Sequence, residues 1–199
     1  MPCLQGAMHI WYHVYMKTVA KPITFEVELL MLGQSTIARL PQEESKKLSS
    51  RGQVAVVGTM NGSAFQTVLE PDGYWGHWMR VSKELQQVAR ARSGQTVTLT
   101  IEQTKDWPEP EIPHDFAKAL QHSPQKVKEK WQQITPMARW EWIRWVSATA
   151  STDTRAIRIE KSISKLNGTH RRPCCFNLAA CTDSELSKNG RLIELSQQS

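Results

Sequence analysis

No stretch of this sequence holds the roughly 18 to 20 consecutive apolar residues that a membrane-spanning helix requires, so none reads as one. The short motifs of common enzyme machineries are missing too. There is no GxGxxG, no GxxxxGK followed by Ser or Thr, no GxSxG and no HExxH, which leaves dinucleotide, P-loop, hydrolase-elbow and zincin chemistries without a starting point. Lys and Arg are absent from Met1 to Tyr15, and His9 and His13 interrupt its apolar residues, so this stretch makes a poor signal peptide. We expect residues 1–20 to be an extension, with the ordered fold beginning after Met16-Lys17. Cysteine is sparse, at four residues, and without an export signal these should be thiols in a reducing compartment, the cytoplasm.

What is present fits a folded chain. Of 199 residues, 40% are hydrophobic and 22% charged, with eight tryptophans, far from the composition of a disordered protein. The net charge of +6 is unevenly placed: from Pro113 onward there are 14 Lys or Arg against 8 Asp or Glu, and before it the two signs balance. That asymmetry favours an anionic partner for the second half, whether nucleic acid, a membrane surface or an acidic protein, while a merely soluble basic domain is the plainer reading.

The first half has the period of strands. Phe25, Val27, Leu29 and Met31 alternate with Glu26 and Glu28, and Val97, Leu99 and Ile101 alternate with Thr96, Thr98 and Thr100. A short strand is expected at Thr36 to Leu40, then a helix from Pro41 through Leu48. Val54 to Met60 and Ala64 to Leu69 flank Asn61-Gly62, a pair suited to a tight hairpin turn. After the Asp72-Gly73 turn, Tyr74 to Val81 should return as a strand with Trp75, His77, Met79 and Val81 on one face. Ser82 can cap a helix from Lys83 to Ala91. Five or six strands burying one face only are economically closed into a small barrel over residues 21–104.

Residues 105–112 open the proline-rich KDWPEPEIP stretch and read as a linker. Beyond it, residues 113–168 read as helices: His114 to Gln121, then starts at Ser123-Pro124 and Thr135-Pro136, where a hydroxyl precedes a proline. In the helix from Pro136, Ala138, Trp142, Trp145, Val146 and Thr149 form the core arc. Trp140 falls opposite, four residues before Arg144; it can pack on the barrel or on Arg144, or stack on a ligand. In the helix from Asp153 to Leu166, Ala156, Ile159, Ile163 and Leu166 share one face, and Arg155, Arg158, Lys161 and Lys165 another. This basic stripe could meet phosphates; a solvated helix face is the simpler alternative. The fold class is therefore α+β, an N-terminal small β-barrel followed by a C-terminal helical bundle, with residues 169–199 a cysteine-containing tail.

In that tail, His170, Cys174, Cys175 and Cys181 form the one dense set of reactive side chains. The spacing has no CxxC knuckle, so no metal is expected, nor any other cofactor. Arg171 and Arg172 could lower the pKa of Cys174, though an ordinary surface cysteine is the plainer reading.

The segments LPQEESKKL, GQVAVVGTMNGSAF and SGQTVTLTI, between Phe25 and Glu102, resemble a small barrel domain of unknown function found at the front of YdeI/OmpD-associated proteins. The helical half resembles their companion domain, named for bacteriocin protection, through Ile112-Pro113, Asp115, Ala119-Leu120, Ile134-Thr135-Pro136, Trp145 and TRAIRIEK from Thr154 to Lys161. Gln95, Trp140 and Ala150 depart from the pattern. The resemblance implies a barrel akin to the double-split barrels of AbrB-type regulators, joined to a helical domain without known catalytic residues, and a link to resistance against antimicrobial peptides. It makes a non-enzymatic binding protein the leading expectation. A nucleic-acid-binding regulator using the basic helix is second, and an enzyme acting on a small molecule in the barrel–helix cleft third.

Overall fold

A computed structural model describes residues 21–173 and 183–193. Strand β1 (Ile23–Leu32) is followed by β2 (Ser35–Arg39), helix α1 (Gln42–Ser45), β3 (Val54–Met60), β4 (Ser63–Pro71), β5 (His77–Arg80), α2 (Lys83–Val88) and β6 (Thr96–Gln103). These six strands close into a barrel in the order β1-β2-β5-β4-β3-β6, and every pairing is antiparallel. Phe25 opposes Leu99 and Val27 opposes Val97, so the alternation of both strands fills one interior. Leu29, Ala38, Val56, Met60, Leu69, Met79, Leu99 and Ile101 complete that core. The Asn61-Gly62 turn has φ of 48° and 84°, the left-handed pair that a two-residue hairpin demands.

Several boundaries differ from the sequence expectation. Pro41 stands just before α1, which ends at Ser45 and does not reach Leu48 as a helix. The returning strand starts only at His77, and Trp75, expected on its inner face, lies outside the barrel in the preceding loop. α2 stops at Val88; Ser82 caps it by accepting from the Leu85 N–H at 3.1 Å. Met31 is exposed, while Leu32, expected outside, is buried.

Four helices follow the linker: α3 (His114–Gln121), α4 (Gln125–Gln133), α5 (Pro136–Ser147) and α6 (Thr152–Asn167). Their core joins Phe116, Leu120, Val127, Trp131, Trp142, Val146 and Leu166, with Phe116 and Trp131 edge to face at 5.4 Å. Thr135 caps α5 by accepting from the Ala138 N–H. Ser123 does not cap α4: its hydroxyl donates back to the Leu120 carbonyl at 2.6 Å, closing α3 instead. The linker itself is pinned from both sides. Gln66 of the barrel donates to the Asp106 carbonyl at 2.8 Å, and Arg139 of α5 pairs with Glu109.

The described part of the tail returns to the barrel. Strands β7 (Ser187–Lys188) and β8 (Arg191–Leu192) form a small hairpin whose Leu186 and Leu192 bury against Leu32, Ile37 and Trp78 on the barrel's outer surface. Strands β1, β2 and β5 thus bury both faces there, not one. Asp183 pairs with Arg80 at 2.5 Å, and Ser184 donates to the Ser147 carbonyl at the end of α5, so the segment ties both halves together.

Candidate functional site

The β4–β5 connection reads Pro71-Asp72-Gly73-Tyr74-Trp75-Gly76, and Asp72 organises it. Only 2% of this aspartate is exposed, yet its carboxylate is fully engaged. Oδ1 accepts from the backbone N–H groups of Tyr74 (2.7 Å) and Gly76 (2.8 Å), and Oδ2 receives the Arg39 guanidinium at 2.9 to 3.0 Å. Its main chain is held as well: the Asp72 N–H donates to the Gly76 carbonyl, and its carbonyl accepts from Leu192 of the tail hairpin. A buried carboxylate with donors on both oxygens is a stable anchor rather than a reactive group.

The anchored loop pushes one residue outward. Trp75 has φ of 72°, a left-handed backbone that costs a bulky side chain about 1–3 kcal/mol. It nevertheless leaves 75% of its surface in water, the most exposed large apolar residue among the described residues. Arg51 donates to its carbonyl at 3.0 Å and fixes the peptide. Beside it, the Tyr74 ring meets two guanidiniums, Arg39 at 5.4 Å and Arg191 at 5.5 Å from the ring centre. Tyr74 also divides two hollows. One, of about 290 Å³, is lined by Arg39, Gln42, Asp72 and Gly76; the other, wider and more open, by Lys188, Asn189, Arg191 and Ile193. The loop therefore offers an exposed indole within a cationic rim.

Close behind lies the nearest approach to a catalytic constellation. Ser45 Oγ is 2.5 Å from His77 Nδ1, and His77 Nε2 is 2.9 Å from the Gly52 carbonyl. A carbonyl only accepts, so Nε2 carries the proton, Nδ1 accepts, and the Ser45 hydroxyl donates. Burial lowers the His77 pKa, against the raising effect of the Gly52 carbonyl, which keeps the ring neutral. Both side chains are wholly buried, and Asp72, the available carboxylate, is engaged elsewhere. The pair braces α1 against β5, and nothing in the sequence linked two residues 32 positions apart.

The residues singled out from sequence do not form one site. Arg155 makes a forked contact with Asp115 of α3, at 2.5 and 2.9 Å. That contact lowers the Asp115 pKa and raises that of Arg155. Arg158 donates to the carbonyls of Trp145 (2.7 Å) and Ala148 (2.9 Å), closing the C-terminus of α5, and lies 5.7 Å over the Trp145 ring. The expected basic stripe is thus broken up: these two arginines flank the packed side of α6 next to Ile159 and Ser162, whereas Ala156, expected in the core, is exposed. Lys161 is exposed and Lys165 half-buried in the last turn. Trp140 is half-buried, and its indole donates to the Pro108 carbonyl of the linker at 2.8 Å. Arg144 crosses to the barrel, where Glu70 lies at 2.8 Å and is itself held by Gln53 at 2.6 Å. Next to it Glu141 pairs through Oε1 with Arg172 at 3.2 Å, while its Oε2 is buried without a hydrogen bond. Burial raises the pKa of both Glu70 and Glu141.

Among the described residues no cluster of His, Cys, Asp and Glu is arranged to hold a metal. His170 is exposed, and Cys174, Cys175 and Cys181 lie outside the described residues, as does any contact of Cys174 with Arg171 and Arg172. No described helix is long and apolar enough to cross a membrane.

No curated protein matches the chain. Residues 25–101 match the family model described as a domain of unknown function, DUF1905, and residues 109–168 match the one described as bacteriocin-protection, YdeI or OmpD-associated. The tail hairpin falls outside both segments. With a DUF1905 barrel in front and the bacteriocin-protection helices behind, this chain belongs to the YdeI/OmpD-associated family.

Proposed function

We propose that this protein binds an anionic partner without transforming it, and that the Asp72–Gly76 loop is where recognition takes place. Trp75 carries the argument. A tryptophan held in a left-handed conformation and left in water gains nothing for the fold, and strain of this kind is maintained where a side chain must be presented. Tryptophan, tyrosine and arginine are also the residues that dominate binding energy at interfaces. Arg39, Arg51, Lys188 and Arg191 around the loop set the sign of the partner, and Asp72 neutralises only one of them. The wholly buried Ser45–His77 pair supports a non-enzymatic reading, because a nucleophile must reach its substrate. We extend the family's association with bacteriocin protection to this chain in the same sense: protection arises from binding, in a reducing cytoplasm.

The test is a titration followed by NMR at low salt, with the Trp75 indole resonance assigned by a Trp75→Phe variant. The probes are a glutamate-rich peptide containing one aromatic residue and a single-stranded oligonucleotide. We expect saturable shifts centred on residues 72–76 with one of them, weakened at least about tenfold by Trp75→Ala and reduced by added salt. Shifts absent with both probes would contradict the binding site. A hydrolytic activity that follows the protein through purification and disappears with one side-chain change would contradict the non-enzymatic reading.

A further inference from the structure

At the other end of β4, about 26 Å from the Trp75 loop at the rise of an extended strand, α2 walls a second concave surface. Its lining is Lys83, Gln86, Gln87, Arg90, Ala91 and Arg92, and it encloses about 570 Å³, within the range of small-molecule sites. Lys83, Gln86, Gln87 and Arg90 recur at the spacing that puts side chains on one side of a helix, so the cations at its two ends face the same space.

The helix terminus makes this more than a charged surface. Ala91 N–H donates to the Gln86 carbonyl and Arg90 N–H to the Gln87 carbonyl, the two bonds of a Schellman closure. The position after the cap in that motif is left-handed and ordinarily glycine. Here it is Arg90, at φ of 50°. The next arginine is equally fixed: Arg92 N–H donates to the Gln95 side chain at 2.9 Å, and Gly94 N–H to the Leu29 carbonyl at 2.6 Å. Two arginines whose backbone is fixed therefore line one hollow.

Neither is neutralised. Arg39, Arg80, Arg139, Arg144, Arg155 and Arg172 all pair with carboxylates. Among the described residues Arg90 and Arg92 make no side-chain hydrogen bond or ion pair, and the wall they share contains no carboxylate. Glu84, one residue along α2 from Lys83, points to a different side of the helix and does not line the hollow. The Gln87 amide adds a neutral donor and acceptor at the rim. Three cations converging without an internal anion match a compact group of several negative charges, and guanidinium forks fit phosphoryl oxygens in particular.

We propose that this hollow is a binding site for a small soluble phosphate ester carrying two or more phosphoryl groups, held by Lys83, Arg90 and Arg92. It is independent of the Trp75 loop. The test is calorimetric titration of the full chain at matched ionic strength with inorganic triphosphate, with ADP and with sulfate, beside flotation with vesicles containing a phosphatidylinositol bisphosphate. We expect saturable one-to-one binding of triphosphate and ADP that is at least about tenfold weaker in Arg90→Gly and in Arg92→Gln. Arg90→Gly suits the left-handed backbone and keeps the fold, so its loss of binding reports the guanidinium. Trp75→Ala leaves this binding unchanged, which separates the two sites. A response no stronger than that to sulfate, binding indifferent to both arginine substitutions, or binding to the vesicles alone would each overturn the proposal.

Discussion

Arg144 on α5 and Glu70 on β4 meet at 2.8 Å across the junction of the two domains, with only 9% and 16% of their side chains exposed. A buried pair of this kind adds little over an apolar contact of the same shape, but leaving one charge behind is costly. Glu70→Ala should therefore destabilise the protein by about 3–5 kcal/mol in urea denaturation, and Glu70→Leu combined with Arg144→Met should restore stability to within about 1 kcal/mol of the original. A double variant as unstable as the single one would mean that the junction needs the charges themselves.

Glu141, one turn of α5 away, has a buried Oε2 with no donor and a pKa raised above its ordinary 4.5 by burial, against the pull of Arg172 and Arg144. A carboxyl whose folded pKa is raised favours the folded state fully below the unfolded pKa, and that contribution is lost as pH rises through the folded value. Glu141→Gln keeps the shape and removes the charge. It should be more stable than the parent by about 1 kcal/mol at neutral pH, with the advantage shrinking as pH falls through the folded pKa and gone below about 4.5. Thermal melts from pH 4 to pH 8 read this directly. A neutral-pH loss of stability in the variant would show that the Arg172 pair outweighs burial.

Asp115 behaves in the opposite sense. The Arg155 fork holds its pKa below the ordinary 3.8, so its contribution is present above that value and lost as pH falls through the folded one. The pair is partly exposed and screened, and Asp115→Asn should cost less than about 1 kcal/mol at pH 7. The two proteins should converge in melting temperature as pH falls below 3.8 and through the folded pKa; a difference that does not shrink on acidification would place the effect in packing.

The tail hairpin rests on a glycine. A Cβ at Gly73 would lie 2.5 Å from the Gly190 carbonyl oxygen and 2.8 Å from the Arg191 Cα, at a φ of 77° that already disfavours a side chain. Gly73→Ala should lift the hairpin, uncover Leu32, Ile37 and Trp78, and accelerate proteolysis after Arg191. Leu192→Ala, which removes one buried side chain without touching the turn, should cost about 2–4 kcal/mol. Unchanged proteolysis in both variants would contradict the docking of the tail.

Local chemistry was readable in the sequence where a few adjacent residues decide the outcome. The alternation in β6, the Asn61-Gly62 turn and the Ser82 and Thr135 caps are of that kind. The misjudged faces depend on distant partners. Leu30 and Leu32 point outward from β1, as the alternation implies, but Leu186 and Leu192, more than 150 residues later, cover that outer surface. On α6, Ile159, Ile163 and Leu166 pack as the periodicity implies and only Ala156 does not, while Arg155 and Arg158 sit beside that packed side because a guanidinium can end its stem at a carboxylate or at helix-terminal carbonyls. An apolar residue two before His77 fits a strand, so the sequence pattern extends β5 back over Trp75. The Asp72 side chain instead captures the N–H groups of Tyr74 and Gly76 and prevents pairing there. The cue was present in Asp-Gly-Tyr-Trp-Gly, where a turn-forming aspartate and two glycines bracket a pair of aromatic residues.

Trp75 is displayed at a cost to the fold, and the stability of Trp75→Gly measures that cost. Glycine accepts a φ of 72° without strain, and little buried surface is lost with the ring, so the variant should unfold at an equal or higher urea concentration than the parent, by up to about 1 kcal/mol. A loss of more than about 1 kcal/mol would show that the indole holds the structure together rather than standing ready for a partner.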